Sequence, residues 1–192
     1  MSKARAEAFS DGVFAIAATL LVLELKDPLA ASGHLLEGLL RQWPSYVAYA
    51  TSFATIVIIW VNHHAVLATL KSLDLPLLFL NGLLLMAVAV IPFPTGLLAH
   101  YLQTGPPADA NTAAVVYGLS AIAMIVAFSL VSLYARSRGL MQAEFNVVAF
   151  SIGLLLYPLA TIVSAFSAQV GLVIYVLVAL FYIALPLARK VG

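Results

Sequence analysis

The sequence predicts an all-α integral membrane protein of six transmembrane helices with both termini in the cytoplasm. Three observations predict it. Of the 192 residues, 64% are hydrophobic and only 9% are charged, where a soluble domain carries roughly a quarter charged residues. The mean hydropathy is +1.07. Apolar runs recur six times, each near the length of about 20 residues that crosses about 30 Å of hydrocarbon. Six such spans and their connections nearly exhaust the length, so the chain is read as one transmembrane domain, 1–192.

The spans are bounded by charges and turn residues. The first runs from about Phe9 to Leu25 and stops at Lys26-Asp27-Pro28; the second runs from about Ser45 to Leu70, between Pro44 and Lys71. The third covers about Leu75 to Tyr101 and ends in Gln103-Thr104-Gly105-Pro106-Pro107. Pro92 and Pro94 lie inside it; they remove backbone donors, so a kink or local unwinding is expected there. The fourth covers about Thr112 to Tyr134, the fifth about Phe145 to Phe166 and the sixth about Val170 to Ala188, with a tight turn at Ser167 to Gln169 before it. With the N-terminus inside, the cytoplasmic segments hold seven cations (Lys3, Arg5, Lys71, Arg136, Arg138, Arg189 and Lys190), and the outer loops hold two, Lys26 and Arg41. That positive-inside bias sets the orientation and points to a multi-pass protein of the cell membrane.

Composition also excludes. The net charge of +1 and the absence of a basic patch predict no nucleic-acid partner. There is no cysteine, hence no disulfide, thiol catalysis or thiolate-held metal. The first run contains Asp11 and lacks a small-residue cleavage site, so it is read as a span and not as a secretory signal. No HExxH, no Gly-x-Ser-x-Gly and no facing pair of catalytic aspartates occurs, so the chain is not expected to be an enzyme or to carry a cofactor.

Polar residues inside spans are costly and mark function or firm pairing. Ser10 and Asp11 lie about one turn into the first span. Trp60, Asn62, His63 and His64 lie in the inner half of the second, Asn81 near the inner start of the third, and Arg5 just below the first. The topology places all of them in one layer, where a hydrogen-bonded clasp among the first three spans is expected. Two readings of that layer stand: a proton relay or cation site, since a His beside an Asp titrates near neutral pH, or a structural network that fixes helix packing. A shared metal site on His63 and His64 is not expected, because adjacent helical residues point about 100° apart.

The same period of about 100° per residue places Gly12, Ile16, Thr19, Leu20 and Leu23 on one face of the first helix, with Ser10 and Asp11 nearly opposite. One side is apolar with a single hydroxyl; the other belongs to the clasp.

Three stretches resemble the prokaryotic transmembrane protein 175 family. They are Arg5-x-x-x-Phe9-Ser10-Asp11-Gly12-Val13-Phe14-Ala15-Ile16 with its continuation to Leu25, Trp60-Val61-Asn62-His63-His64, and Asn81 followed by a leucine run and Ile91-Pro92-Phe93-Pro94-Thr95. The resemblance covers the first three spans by motif and the last three only by number and hydrophobicity. It implies a homotetrameric, potassium-preferring cation channel without a TVGYG filter, with potassium and the lipid bilayer as its partners and no cofactor beyond the permeant ion. It further implies that the first helix lines the pore, with Ile16, Leu20 and Leu23 as gate and selectivity constriction and Thr19 beside them. The Phe-Ser-Asp segment would then join the Trp and His of the second helix in an interhelical network. The alternative is a proton-coupled transporter or proton leak that uses Asp11 and His63 or His64; against it stands the lack of a second, symmetry-related half with broken helices.

Overall fold

The computed structural model describes residues 2–28, 33–141 and 148–188. The described residues are helical apart from connections and one isolated bridge. In chain order the helices are α1 (Lys3–Leu20), extended by a 3₁₀ turn at Leu21–Glu24, α2 (Leu35–Arg41), α3 (Trp43–Thr69), α4 (Leu75–Val90), α5 (Pro92–Thr104), α6 (Pro107–Ser137), α7 (Val148–Ser164) and α8 (Ala168–Ala188). Among the described residues four segments are long and apolar enough to cross a membrane: Lys3–Glu24, Trp43–Thr69, Leu75–Thr104 and Pro107–Ser137. Ile152–Ser164 and Ala168–Ala184 are shorter apolar helices. Arg189 and Lys190, counted among the inner charges, and Phe145, where the fifth run was placed to begin, lie outside the described residues.

Local chemistry fixes the boundaries. α4 starts at Asp74, whose carboxylate accepts the backbone N–H of Leu77 at 2.9 Å, the bond expected of an N-cap. α4 stops at Val90 because Pro92 and Pro94 have no N–H to donate; Ile91 N–H turns back to Val88 O at 3.1 Å. Pro92 then opens α5, as a proline does at the first position of a helix. The Thr95 backbone N–H and hydroxyl both donate to the Ile91 carbonyl, at 3.2 and 2.8 Å. The expected kink is therefore a break between two helices within one apolar span. α6 ends at Gly139, whose φ of +64° suits a residue without a Cβ. Its N–H bonds Arg136 O at 3.0 Å while Leu140 N–H bonds Ala135 O at 2.9 Å, the paired bonds of a Schellman ending.

The helix ends gather at two levels. At the near end, where α1 begins, Lys3 Nζ donates to the Ala68 and Leu70 carbonyls at 3.0 and 3.2 Å. Lys71 N–H donates to Leu140 O at 2.8 Å, and Tyr134 OH donates to Asp74 at 2.8 Å. The Leu77 N–H, with that hydroxyl, holds the Asp74 carboxyl below its usual range. At the far end Gln42 Nε2 donates to Lys26 O at 2.9 Å, and Gln103 donates to Ser45. Asn111 clamps the α7–α8 turn, accepting Ala168 N–H at 2.8 Å and donating to Ala165 O at 3.2 Å.

Among the described residues two apolar clusters fill the bundle. One joins α1, α3, α4 and α6 through Phe14, Leu21, Ile56, Leu84, Val88 and Phe128. The other joins α5 to α8 through Leu98, Ala114, Tyr117, Tyr157 and Leu172, with Tyr175 at its centre. α6 contributes to both and is the shared wall. In the second cluster small residues set the helix spacing: a Cβ on Gly171 would stand 1.9 Å from Ser164 Oγ and 3.1 Å from Ser164 Cα. The backbone atom cannot step aside. Gly171→Ala is therefore expected to destabilise the detergent-purified protein by about 1–3 kcal/mol, the usual cost of overpacking, read as a lower melting temperature; an unchanged melt would refute this close approach of α7 and α8.

Candidate pore helix and its anchoring network

α1 has two different faces. Ala6, Ser10, Phe14 and Ala17 are buried in it, and Leu21 continues the stripe, a spacing of three and four residues that keeps one helix side against its neighbours. Turned away from that stripe, Ile16 is 60% exposed, Leu20 41% and Leu23 61%. Gly12 and Thr19 are also exposed. The Thr19 hydroxyl donates to the Ala15 carbonyl at 2.9 Å, with the Ile16 carbonyl at 3.0 Å. Its proton is thus spent on its own helix, which leaves the oxygen lone pairs facing outward.

Leu23 is carried differently from the expectation of a continuous α-helix. It sits in the 3₁₀ turn, where residues three apart eclipse one another, so Leu23 stands directly above Leu20. It remains on the exposed side, but its direction is set by the turn.

The expected clasp separates into two bonded groups. Asn81, on α4, is the centre of the first: Nδ2 donates to Ser10 Oγ at 3.0 Å, and Oδ1 meets His63 Nε2 at 2.7 Å. Ser10 Oγ spends its proton on Ala6 O at 2.8 Å, so it must accept from the Asn81 amide. That orientation makes Asn81 Oδ1 the acceptor, and His63 carries its proton on Nε2. Asn81 is 7% exposed, His63 1% and Ser10 0%. These three side chains join α1, α3 and α4 inside an apolar packing layer, where a lost partner is costly. Phe14 lies beside His63, ring centroids 5.3 Å apart.

The second group is Asp11 and Trp60, the indole Nε1–H donating to Asp11 Oδ1 at 2.9 Å. Both residues are exposed, and with Phe14, Ala15, Ala18, Ile56 and Val57 they line an apolar groove of about 350 Å³ between α1 and α3. His64 is exposed beside Trp60, ring centroids 6.4 Å apart. Asn62 donates to Ile58 O of its own helix at 2.7 Å, and Arg5 is exposed; among the described residues neither is bonded to the clasp. Nor does a hydrogen bond join Asp11 to His63. Sequence reasoning missed Phe14 as the ring against His63, although its position one turn after Ser10 on the buried stripe would have indicated it.

Long apolar helices that hold polar groups in interhelical bonds, with apolar faces turned outward, define a helical membrane protein. The family model for the endosomal/lysosomal potassium channel TMEM175 matches residues 5–92. A protein of Streptomyces collinus named as a potassium channel is 43% identical over 187 residues, covering 93% of this chain and 90% of its own. The crystal structure of a lysosomal potassium-selective channel TMEM175 homolog from Chamaesiphon minutus superposes with a TM-score of 0.84 at 39% identity, covering 95% of this chain and 96% of that one. The endosomal/lysosomal proton channel TMEM175 of Gallus gallus is 37% identical over 112 residues, 54% of this chain and 22% of its own. The chain belongs to the TMEM175 channel family.

Proposed function

We propose that the chain is one subunit of a homotetrameric, potassium-preferring cation channel of the cell membrane, with six spans and cytoplasmic termini, whose pore is lined by four copies of α1. The observation that carries this reading is the exposed face of Ile16, Thr19, Leu20 and Leu23 opposite the buried stripe of a membrane-length helix. The names of the Streptomyces and Chamaesiphon relatives support potassium as the ion. The exposed Asp11–Trp60 pair supports assembly. A carboxylate at membrane depth belongs against protein or a water-filled cavity and not against lipid, so a neighbouring subunit covers this groove.

Rings of Ile16, Leu20 and Leu23 narrow the path until water leaves and ions stop. Opening tilts or turns α1 until the rings widen and wet. Potassium sheds water more readily than sodium, and Thr19 oxygens replace part of what is lost. The preference is then modest beside that of a carbonyl-lined filter. The Ser10–Asn81–His63 group fixes the back of each pore helix to α3 and α4.

A second reading, proton conduction through Asp11 with His63 or His64, has the name of the Gallus relative in its favour. The test is flux through the purified protein in liposomes, potassium against sodium at fixed pH, with a pH dye inside. Passive flux that prefers potassium is expected. Proton movement without cation flux, lost on substitution of His63 or His64, would establish the second reading instead.

A further inference from the structure

The far end of α1 is wound and seated in an unusual way. Leu21–Glu24 is a 3₁₀ turn, which advances about 120° per residue against about 100° in an α-helix. Had the α-helix continued, Leu23 would point about 60° further round, toward Thr19. The direction of the last apolar ring therefore depends on what holds this one turn in its tighter winding.

Two contacts hold it. Leu21 is fully buried in the cluster of α1, α3, α4 and α6. Three residues on, the Glu24 side chain lies over Gly96 of α5, where a Cβ would stand 1.8 Å from Glu24 Oε2 and 2.6 Å from its Cδ. Among the described residues no hydrogen bond or ion pair engages that carboxylate, so the seat is one of shape. Beside it opens a cavity of about 560 Å³, lined also by Asp27, Gln42, Ser45 and His100. Glu24 thus has a place to go when the notch is filled.

We propose that Glu24, seated in the notch left by Gly96, is the positioning residue that fixes the register of Leu23 on the pore side of α1. The proposal rests on the reading of α1 as the pore helix. With Glu24 seated, the 3₁₀ winding stacks Leu23 over Leu20. With Glu24 displaced into the cavity, the turn is free to rewind as α-helix, and the outermost ring swings toward Thr19. The missing methyl of Gly96, some distance from the axis, then sets the width of the path.

The test is a double-mutant cycle on the full chain in liposomes, recording single-channel potassium currents for wild type, Gly96→Ala, Glu24→Ala and the double variant. Gly96→Ala folds, since the new methyl meets only the movable end of a side chain and Ala favours the helix. It changes open probability at least about threefold, as does Glu24→Ala, and the double variant changes it no further, the non-additivity of residues in contact. Glu24→Gln, of the same shape, restores wild-type gating. Wild-type gating in Gly96→Ala, additive effects in the double variant, or Glu24→Gln behaving as Glu24→Ala would each overturn the assignment. Ile16→Asn recorded in parallel separates the two levels of inference. Enhanced flux there with an additive cycle removes only the role of Glu24, whereas no response at Ile16 removes the pore reading itself.

Discussion

Replacing Ile16 with Asn is expected to raise potassium flux at least about tenfold, equivalent to removing about 1.4 kcal/mol of barrier, and to bring sodium flux closer to that of potassium. The argument is one of wetting. A ring of isoleucines offers water no hydrogen bond, so a narrow ring empties and an ion must shed its shell to enter. Asn is shorter and carries a donor and an acceptor, so the same ring holds water. Ile16 is 60% exposed and stands away from the buried stripe of α1, so the substitution removes little packing within the subunit. A control separates pore from lipid: Ile162 on α7 is 62% exposed, and Ile162→Asn should leave flux and ion preference unchanged. Normal flux and selectivity in a well-assembled Ile16→Asn protein would remove Ile16 from the gate. Equal effects at Ile16 and Ile162 would point to a general loosening of the bundle.

Much of this was legible in the sequence, for identifiable reasons. Polar groups in apolar spans have few partners within reach, so topology alone brought Ser10, Asn81 and His63 to one level, and Asp11 and Trp60 as well. Prolines announce a break because the missing N–H is a property of the residue, and α4 ends where Pro92 requires. Side-chain orientation was less accessible. Asn62 lies one position from His63, yet it bonds its own helix, because neighbouring helical residues face about 100° apart. The helix α2, with seven residues, is too short for periodicity to reveal. The 3₁₀ turn at Leu21–Glu24 brings Glu24 against Gly96, a contact between distant segments that no local pattern encodes.

Substituting Asn81 is expected to have the largest effect on stability. Asn81→Leu fills a similar space but removes the acceptor of His63 Nε2–H and the donor to Ser10. Ser10 keeps its bond to Ala6 O, so it loses only one interaction, worth about 0.6 kcal/mol for an interhelical bond in a membrane protein. His63 fares worse. Its N–H, on a residue 1% exposed, is left in an apolar layer without a partner, which costs about 1–3 kcal/mol. The sum is about 1.6–3.6 kcal/mol, and melting of the detergent-solubilised protein should fall by about 2–4 °C for each kcal/mol. The physical cause makes a further, opposite demand. Adding His63→Leu to Asn81→Leu removes the stranded donor, and replacing both partners by apolar groups is close to neutral. The double variant should therefore melt above Asn81→Leu alone, toward wild type. A double variant that melts lower still, by the sum of the single losses, would mean that shape rather than hydrogen bonding makes Asn81 and His63 matter.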